Sequence, residues 1–389
     1  MRVPSWMNRE ILLISLSAFF ADLGYQAAIA IFPIFIVVAL SASASEYGIA
    51  SAVAFGIGSF FGYLGGLLSD RYENRYIAIF GNALIPLISL MALTNSILIA
   101  VMLFSGGWWA RNFRSPARRS MVAVNSAKKN RSNVFGFLHV LDIGGGMLSV
   151  VGLLALLYLG LSIKSILLLT AIPLIISTLL LIFAKNTMHK KQQLLLSSSK
   201  PLESRASIGA YRGIIIATAL YGFSTYSFGF PILTIAKQTS SFIGIGSYAV
   251  YLGISAFAGY WIGSKRYNKI KSLSYMGYAL SGFGSLLLGL SYAYGLGAVW
   301  SYIAVGILGF AFGIIETLEP TLISFIKNVK ELGKGMGSLS GSRSLGIFTA
   351  NLVMGVLYVV NPFYSYIYAT TVSIIAGIIV LMMSRKFVS

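Results

Sequence analysis

Apolar residues in this chain come in long runs of about 20, separated by short polar segments. A helix needs about 20 residues to cross roughly 30 Å of hydrocarbon, because it rises about 1.5 Å per residue. The pattern therefore predicts an all-α chain that crosses a membrane twelve times. The predicted helices lie at 11–40, 47–69, 76–93, 97–117, 134–161, 165–184, 212–236, 242–263, 272–292, 298–326, 336–360 and 363–383.

Composition supports the same class of protein. Apolar residues make up 57% of the chain and charged residues 10%, with a mean hydropathy of +0.82. A water-soluble globular protein carries roughly 25% charged residues. The chain has no cysteine, which excludes disulfides and thiolate metal sites. We expect a polytopic membrane protein with no metal and no cofactor.

The positive charges indicate how the chain is oriented. Of the 29 Lys and Arg residues, only Lys164 and Lys237 fall on the second side of the membrane when the predicted helices are threaded through it. Short loops rich in Lys and Arg stay in the cytoplasm. We therefore expect a plasma-membrane protein with both termini cytoplasmic. The net charge of +19 does not predict nucleic-acid binding, because insertion and anionic lipid headgroups account for bases in such loops.

The longest polar stretch divides the chain in two. Residues 185–211 are rich in Lys, Gln and Ser, a composition typical of a flexible linker. It separates a six-helix half at 1–184 from a second at 212–389. A shift of 201 positions also lays 135–145 over 336–346, so the fifth predicted helix corresponds to the eleventh. Internal repeats of this kind are common in transporters.

Four of the ten acidic residues fall inside predicted spans. An Asp at mid-bilayer costs roughly 2.5–3.5 kcal/mol, so such residues normally face a bundle interior or a wet cavity and mark ion or substrate pathways. The sequence therefore predicts a polar site inside the bundle. Its acidic residues are Asp22, Asp142, Glu316 and Glu319.

Two arginines, Arg111 and Arg343, lie at the same depth and are expected to pair with these acids. Four acids against two deep arginines leave an excess of negative charge. Burial disfavours the ionised carboxylate, so we expect at least one acid to hold a proton. His139 precedes Asp142 by three residues and shares its helix face, where it could relay a proton or simply hydrogen-bond to the acid. A static ion-pair clamp between helices is the alternative interpretation.

The junction of the second and third predicted helices carries a recognisable motif. Residues 66–75 read G-L-L-S-D-R-Y-E-N-R, which resembles the G-x-x-x-D-R-x-G-R-R signature of the major facilitator superfamily (MFS). The four matching residues are Gly66, Asp70, Arg71 and Arg75. Glu73 and Asn74 depart from the pattern. Gly66 also ends a series of glycines at every fourth position, which favours close helix packing.

The resemblance implies two six-helix halves around a central cavity that opens alternately to each side. It also implies a cytoplasmic gate in which Asp70, Arg71 and Arg75 lie against Arg114 and Arg118 of helix four and against the N-terminal end of helix eleven. A helix N-terminus favours a nearby anion, which suits Asp70.

These features predict a secondary transporter of a small solute, working as a monomer and coupled to protons. Proton-driven export (antiport) is the leading interpretation. A uniporter or proton symporter of a metabolite and a non-transporting membrane sensor are alternatives. No nucleotide-binding loop, metal cluster or catalytic triad spacing occurs in a suitable context, so we do not expect an enzyme.

Overall fold

The computed structural model of the chain describes residues 6–127, 130–185, 205–264, 272–326 and 332–388. Within these ranges the regular structure is entirely helical. The membrane helices are α1 (Arg9–Ala39), α2 (Ala44–Arg71), α3 (Asn74–Leu93), α4 (Ile97–Val124), α5 (Arg131–Tyr158), α6 (Ile163–Phe183), α7 (Arg205–Gly222 and Gly229–Gln238), α8 (Ser241–Ser264), α9 (Leu273–Ala293), α10 (Ala298–Ile326), α11 (Leu332–Val360) and α12 (Pro362–Val388).

Ten of the helices in the described ranges are long and apolar enough to cross a membrane. The other two are α4 and α7. Helix α4 contains four arginines, which lower its average apolarity. Helix α7 is interrupted between Gly222 and Gly229, so neither of its segments is a full continuous span. Both nevertheless pack within the bundle at the places where the sequence predicts the fourth and seventh spans.

Helix α4 is longer than predicted. Its expected end was near 117, where Pro116 could have stopped the helix, but the helix continues to Val124 with Pro116 inside it. A proline in a membrane helix is tolerated when neighbouring helices satisfy the freed backbone groups. Arg118 and Arg119 therefore belong to the helix and lie inside the bundle.

The helices pair in a symmetric way. Helix α5 packs along α1 and α8, while α11 packs along α7 and α2. This is the pairing expected if α5 and α11 are equivalent positions of a repeat. Glycines permit the close approach: a Cβ on Gly145 would lie 2.3 Å from the carbonyl oxygen of Phe19, and one on Gly337 would lie 3.0 Å from the Cα of Gly66.

The predicted linker lies largely outside the described residues. Residues 186–204 are not described, and α7 begins at Arg205, seven residues before its predicted start at 212. The division into halves at 184 and 212 stays a prediction. We refer below to α1–α6 and α7–α12 simply as the first and last six helices.

Helices α2 and α11 touch near both of their ends. We call the membrane side that carries the turn between α2 and α3 the basic side. There the backbone N–H of Lys334, at the start of α11, donates to Asp70 Oδ2 at 2.8 Å. On the opposite side a Cβ on Gly48 would lie 2.8 Å from the Cα of Gly355. Tyr47 closes the same side by a 2.7 Å hydrogen bond to Ser227.

Candidate functional site

A cavity of about 260 Å³ lies between the first and last six helices. Its volume is close to the lower limit of roughly 300 Å³ for small-molecule pockets. Charged side chains line it, namely Arg111, Arg119, Glu316, Glu319 and Arg343. A second pocket, on the surface of α8 and α10, is lined by Ile254, Val299, Ile303 and other almost wholly apolar groups. It contains no ionisable acid or base among the described residues and resembles an ordinary lipid-facing groove.

Helix α4 directs its arginines in two directions. Arg111, Ser115 and Arg119 follow one another at four-residue spacing, so they share a helix face, and all three line the cavity. Arg114 and Arg118, also four residues apart, are 0% and 1% exposed and lie behind the cavity wall. One helix therefore supplies cations both to the cavity and to the interior of the first six helices.

The buried face of α4 meets two acids. Arg118 Nη2 donates to both oxygens of Asp142, at 2.7 and 3.0 Å. Asp22, which is 0% exposed, lies with its carboxyl group in hydrogen-bonding reach of Asp142. Its Oδ1 accepts from Gln26 Nε2 at 3.0 Å, whereas Oδ2 has no donor among the described residues. We call Asp22 and Asp142 the carboxyl pair.

Gln26 joins the carboxyl pair to the last six helices. Its amide nitrogen donates to Asp22, and its amide oxygen accepts from the Tyr248 hydroxyl of α8 at 2.6 Å. Both Gln26 and Tyr248 line the cavity. One side chain therefore connects Asp22 to the cavity wall and to α8.

A second set of charges lies on the other side of the cavity. Glu316 accepts from Arg119 at 2.8 Å and from Arg343 at 3.1 Å. Arg343 also donates to Glu319, whose other oxygen accepts from the Tyr278 hydroxyl at 2.7 Å. We call Arg119, Glu316, Arg343 and Glu319 the ion-pair chain. Because Arg119 lies on α4 and the others on α10 and α11, the chain bridges the first and last six helices.

The prediction of an excess of negative charge inside the bundle is wrong. The cavity, the carboxyl pair and the ion-pair chain together contain the four predicted acids, but five arginines rather than two lie at or beside them. The extension of α4 past Pro116 adds Arg118 and Arg119, and Arg114 is fully buried. With all groups ionised, the sum is one positive charge. The five arginines are Arg111, Arg114, Arg118, Arg119 and Arg343.

Arg111 is the cavity arginine without an acid. No ion pair among the described residues includes it. Its guanidinium carbon lies 4.9 Å from the ring centroid of Trp108 and 5.6 Å from that of Tyr25. Its Nε donates to the Tyr25 hydroxyl at 3.2 Å. Cation–π contacts of this kind hold a guanidinium in place without neutralising it.

His139 does not form the hydrogen bond to Asp142 that one of the predicted alternatives required. Its Nε2 lies 3.2 Å from both the carbonyl oxygen and the hydroxyl of Ser255 on α8. The ring packs so closely on Gly259 that a Cβ there would meet it at 2.2 Å. His139 lies on the same helix face as Asp142, as predicted. Its ring, however, packs between α5 and α8 and does not bond to the acid.

The predicted gate residues separate into two groups. Asp70 contacts the N-terminus of α11, as expected, and Gly66 packs on Gly337. Arg71 is exposed, and the Arg75 guanidinium donates to the carbonyl oxygen of Ile182 at the end of α6.

The placement of Arg114 and Arg118 beside Asp70 is wrong. Arg118 binds Asp142, and Arg114 donates to Asn82 of α3. The resemblance implied that both residues lie at the cytoplasmic gate, whereas helix α4 carries them into the interior of the first six helices.

Several site residues were not predicted from the sequence, among them Arg119, Gln26, Tyr248 and Tyr278. Two of them carry a usable signal. Arg119 continues the four-residue spacing of Arg111 and Ser115, and Gln26 follows Asp22 by one helical turn. Tyr248 and Tyr278 lie on helices rich in Tyr, so nothing local distinguishes them from packing residues. The described residues contain no group of three or more His, Cys, Asp or Glu that could hold a metal ion.

Comparisons with known proteins agree with this architecture. The sequence model of the Major Facilitator Superfamily matches residues 14–348. An uncharacterised MFS-type transporter of Methanocaldococcus jannaschii is 22% identical over 397 aligned positions, covering 96% of this chain and 95% of the relative.

Two solved structures share the fold. A POT family transporter in complex with a thioalcohol-conjugated peptide superposes with a TM-score of 0.73, at 13% identity over 98% of this chain and 97% of that one. The MFS proton:xylose symporter XylE, from E. coli, gives 0.70 at 15% identity, over 95% and 94%. The chain therefore belongs to the major facilitator superfamily, as a multi-pass membrane protein built for the transport of a small molecule.

Proposed function

We propose that this chain is a proton-coupled secondary transporter in which the carboxyl pair binds the proton. The observation that carries the proposal is the buried Asp22 carboxyl group, which lies beside Asp142 and the Tyr25 hydroxyl and whose Oδ2 has no well-formed hydrogen bond within the described residues. Two ionised carboxylates in contact repel strongly, and a proton shared between them both removes a charge and supplies the missing hydrogen bond.

The charged groups around the pair are consistent with reversible protonation. Arg118 is committed to Asp142, and Arg114 and Arg111 lie nearby without a carboxylate within ion-pair distance in the described ranges. The positive charge of Arg111 favours the ionised form of Asp22, whereas burial and Asp142 favour the protonated form. Such a balance lets the proton leave when the site faces a more alkaline side.

Alternating access would follow from the ion-pair chain. Arg119 and Glu316 join the first and last six helices across the cavity, so the pair must break for the halves to separate on that side. Gln26 would carry the state of Asp22 to Tyr248. We propose that the protein acts as a monomer in the plasma membrane with both termini cytoplasmic, in line with the distribution of its basic residues.

Proton-driven export, the leading interpretation of the sequence, requires that solute and proton displace each other at one site. A second candidate, symport of an anion with a proton, is favoured by the excess positive charge. Protonation of Asp22 removes a negative charge near Arg111, so an anion and a proton would load together. The two modes differ in the sign of the pH change that a solute gradient produces.

The test is proton movement in liposomes. Purified protein is reconstituted with a pH-sensitive dye inside, pooled metabolites and lipophilic cations are added outside, and internal pH is recorded. An inward solute gradient should acidify the lumen under symport and make it more alkaline under antiport. Asp22→Asn keeps an acceptor for Gln26 but has no titratable proton, so we expect it to reduce the pH change at least about tenfold.

The matched control is Glu46→Gln, which also neutralises one acid. Glu46 is exposed and caps the start of α2 at the opposite side of the membrane from the basic side. It should leave the pH change intact. Undiminished proton movement by Asp22→Asn would refute the proposed proton site, and solute uptake without any pH change would favour the uniporter.

A further inference from the structure

The charges that line the cavity do not cancel. Three arginines, Arg111, Arg119 and Arg343, oppose two glutamates, Glu316 and Glu319, which leaves one positive charge on the wall. The ion-pair chain accounts for two arginines and both glutamates. The unbalanced charge is therefore localised on one side chain, Arg111. Asp22 and Asp142 act on Arg111 from behind the cavity wall, so once Asp22 is protonated the charge of Arg111 is costly unless a counter-ion enters the cavity.

The free edge of Arg111 points to the cavity. Nε donates to the Tyr25 hydroxyl at 3.2 Å, and Nη1 makes a long contact of 3.4 Å with Asn112 Oδ1. Nη2 has no hydrogen-bond partner among the described residues. Unlike the unpartnered nitrogens of Arg114 and Arg118, it is not fully buried. The Nη1 and Nη2 edge is thus held by Trp108 and accessible from the cavity.

Across the cavity the wall is aromatic. Phe228 lies 4.3 Å, centroid to centroid, from Tyr251, which in turn lies 5.4 Å from Phe312. All three line the cavity, as does Leu252. These side chains offer aromatic and apolar contacts. The cavity thus combines Arg111, an aromatic wall and the ion-pair chain, in which Glu316 and Glu319 are already bound to arginines.

We propose that the cavity binds a small organic monocarboxylate, with its carboxylate on the Nη edge of Arg111 and its apolar body against Phe228, Tyr251 and Phe312. The proposal rests on the proposed transport function and names the substrate class. A planar guanidinium edge matches a planar carboxylate with two parallel hydrogen bonds. The one excess positive charge among the lining side chains is matched by a monoanion, whereas a dianion would exceed the charge of that wall. The volume of about 260 Å³ limits the body to a small one.

Direct binding to the purified wild-type protein tests the proposal without any transport step. The probes are acetate, butyrate, benzoate and phenylacetate, each paired with its neutral amide, together with succinate and tetraethylammonium. Calorimetry is recorded in detergent, supported by the fluorescence of Trp108, which packs on Arg111. We expect an aromatic monocarboxylate to bind at least about tenfold more tightly than its amide and more tightly than succinate.

Arg111→Gln should abolish this preference for the acid over the amide. The matched control is Lys237→Gln, because Lys237 is also a cation over an aromatic ring, 4.6 Å from the centroid of Tyr358, but does not line the cavity. The control should bind as the wild type does. If Arg111→Gln does not yield monodisperse protein, the acid and amide comparison on the wild type decides alone.

Three results would overturn the proposal: no monocarboxylate binds, the amide binds as well as the acid, or succinate or tetraethylammonium binds best. Failure of the proposed transport function is seen separately, as undiminished proton movement in Asp22→Asn liposomes. Monocarboxylate binding with no proton movement would keep this inference and remove the proton coupling.

Discussion

The two charged sites of this transporter occupy corresponding places but have opposite polarity. In the first six helices the acid Asp142 is on α5 and its base Arg118 is on α4. In the last six helices the base Arg343 is on α11 and its acids are on α10. The shift of 201 positions lays Asp142 over Arg343. A repeat can therefore preserve the position of a buried ion pair while its sign is inverted.

The two sites also differ in charge balance and in reach. The carboxyl pair has two acids but only one arginine in ion-pair contact, and all of these groups lie in the first six helices. In the ion-pair chain each acid contacts an arginine. Arg119 belongs to the first six helices, and the other three residues belong to the last six. The difference suggests a division of labour: the first site has an acid available for a proton, and the second joins the two halves.

The largest effect on stability is expected from breaking the ion pair between Arg118 and Asp142. Asp142→Leu leaves Arg118, which is 1% exposed, without its counter-charge, and we expect a loss of about 3–5 kcal/mol in the free energy of unfolding. Thermal denaturation in detergent measures it. The double variant Arg118→Met with Asp142→Leu should recover most of the loss, because it removes both buried charges.

The counterpart in the second site is Arg343→Met. Glu316 then keeps Arg119 and Glu319 keeps Tyr278, so the loss should be clearly smaller. An Asp142→Leu protein as stable as the wild type would contradict the expectation and would mean that Asp22 replaces Asp142 as the partner of Arg118.

A smaller effect, on how often the cavity opens, is expected from weakening the contact between Arg119 and Glu316, which joins the first and last six helices. The chain has no cysteine, so Ser115→Cys on the cavity wall gives a single reporter for thiol-reactive reagents. Glu316→Gln weakens the contact with Arg119 and should make the cavity open more often. We expect labelling of the reporter to rise about fivefold to tenfold, equivalent to about 1 kcal/mol.

Glu319→Gln is the matched control for this experiment, one turn further along α10. Glu319 hydrogen-bonds to Arg343 and Tyr278 and lies near Thr218, and all three of these residues belong to the last six helices. In the Glu319→Gln variant the labelling rate of the Ser115→Cys reporter should change by less than about twofold. Equal acceleration by both variants would show that the ion-pair chain does not act as a link between halves.

The smallest effect is expected at the basic side. Asp70→Ala removes the acceptor of the Lys334 N–H at the start of α11. An exposed charge at a helix N-terminus contributes about 0.3–1 kcal/mol, so labelling of the same reporter should rise by about threefold. Glu73→Ala, an exposed acid in the adjacent turn, should have no effect. A response to Glu73→Ala of equal size would assign the effect to the loop's net charge.

Much of the fold was predictable because membrane insertion is governed by local properties. The length of each apolar run sets whether a helix can span, and the four buried acids are conspicuous wherever they fold. That Arg343 pairs with acids inside the bundle followed from its depth in the predicted helix. By contrast, the predicted end of α4 near 117 is wrong. The apolar run stops there, but the helix continues to Val124 among neighbours that are distant in sequence.

The sequence by itself determined the class of protein, the number of spans, the acids placed at a cost inside the membrane and the Asp70 motif. Only the tertiary structure decided which arginine each acid takes, that His139 turns to Ser255, and that Arg111 is left without an acid. The physical reason is that insertion cost belongs to each residue and its neighbours along the chain. Charge pairing depends instead on which helix faces meet. Here two turns of α4 separate Arg111, which has no acid, from Arg118 and Arg119, which each bind one.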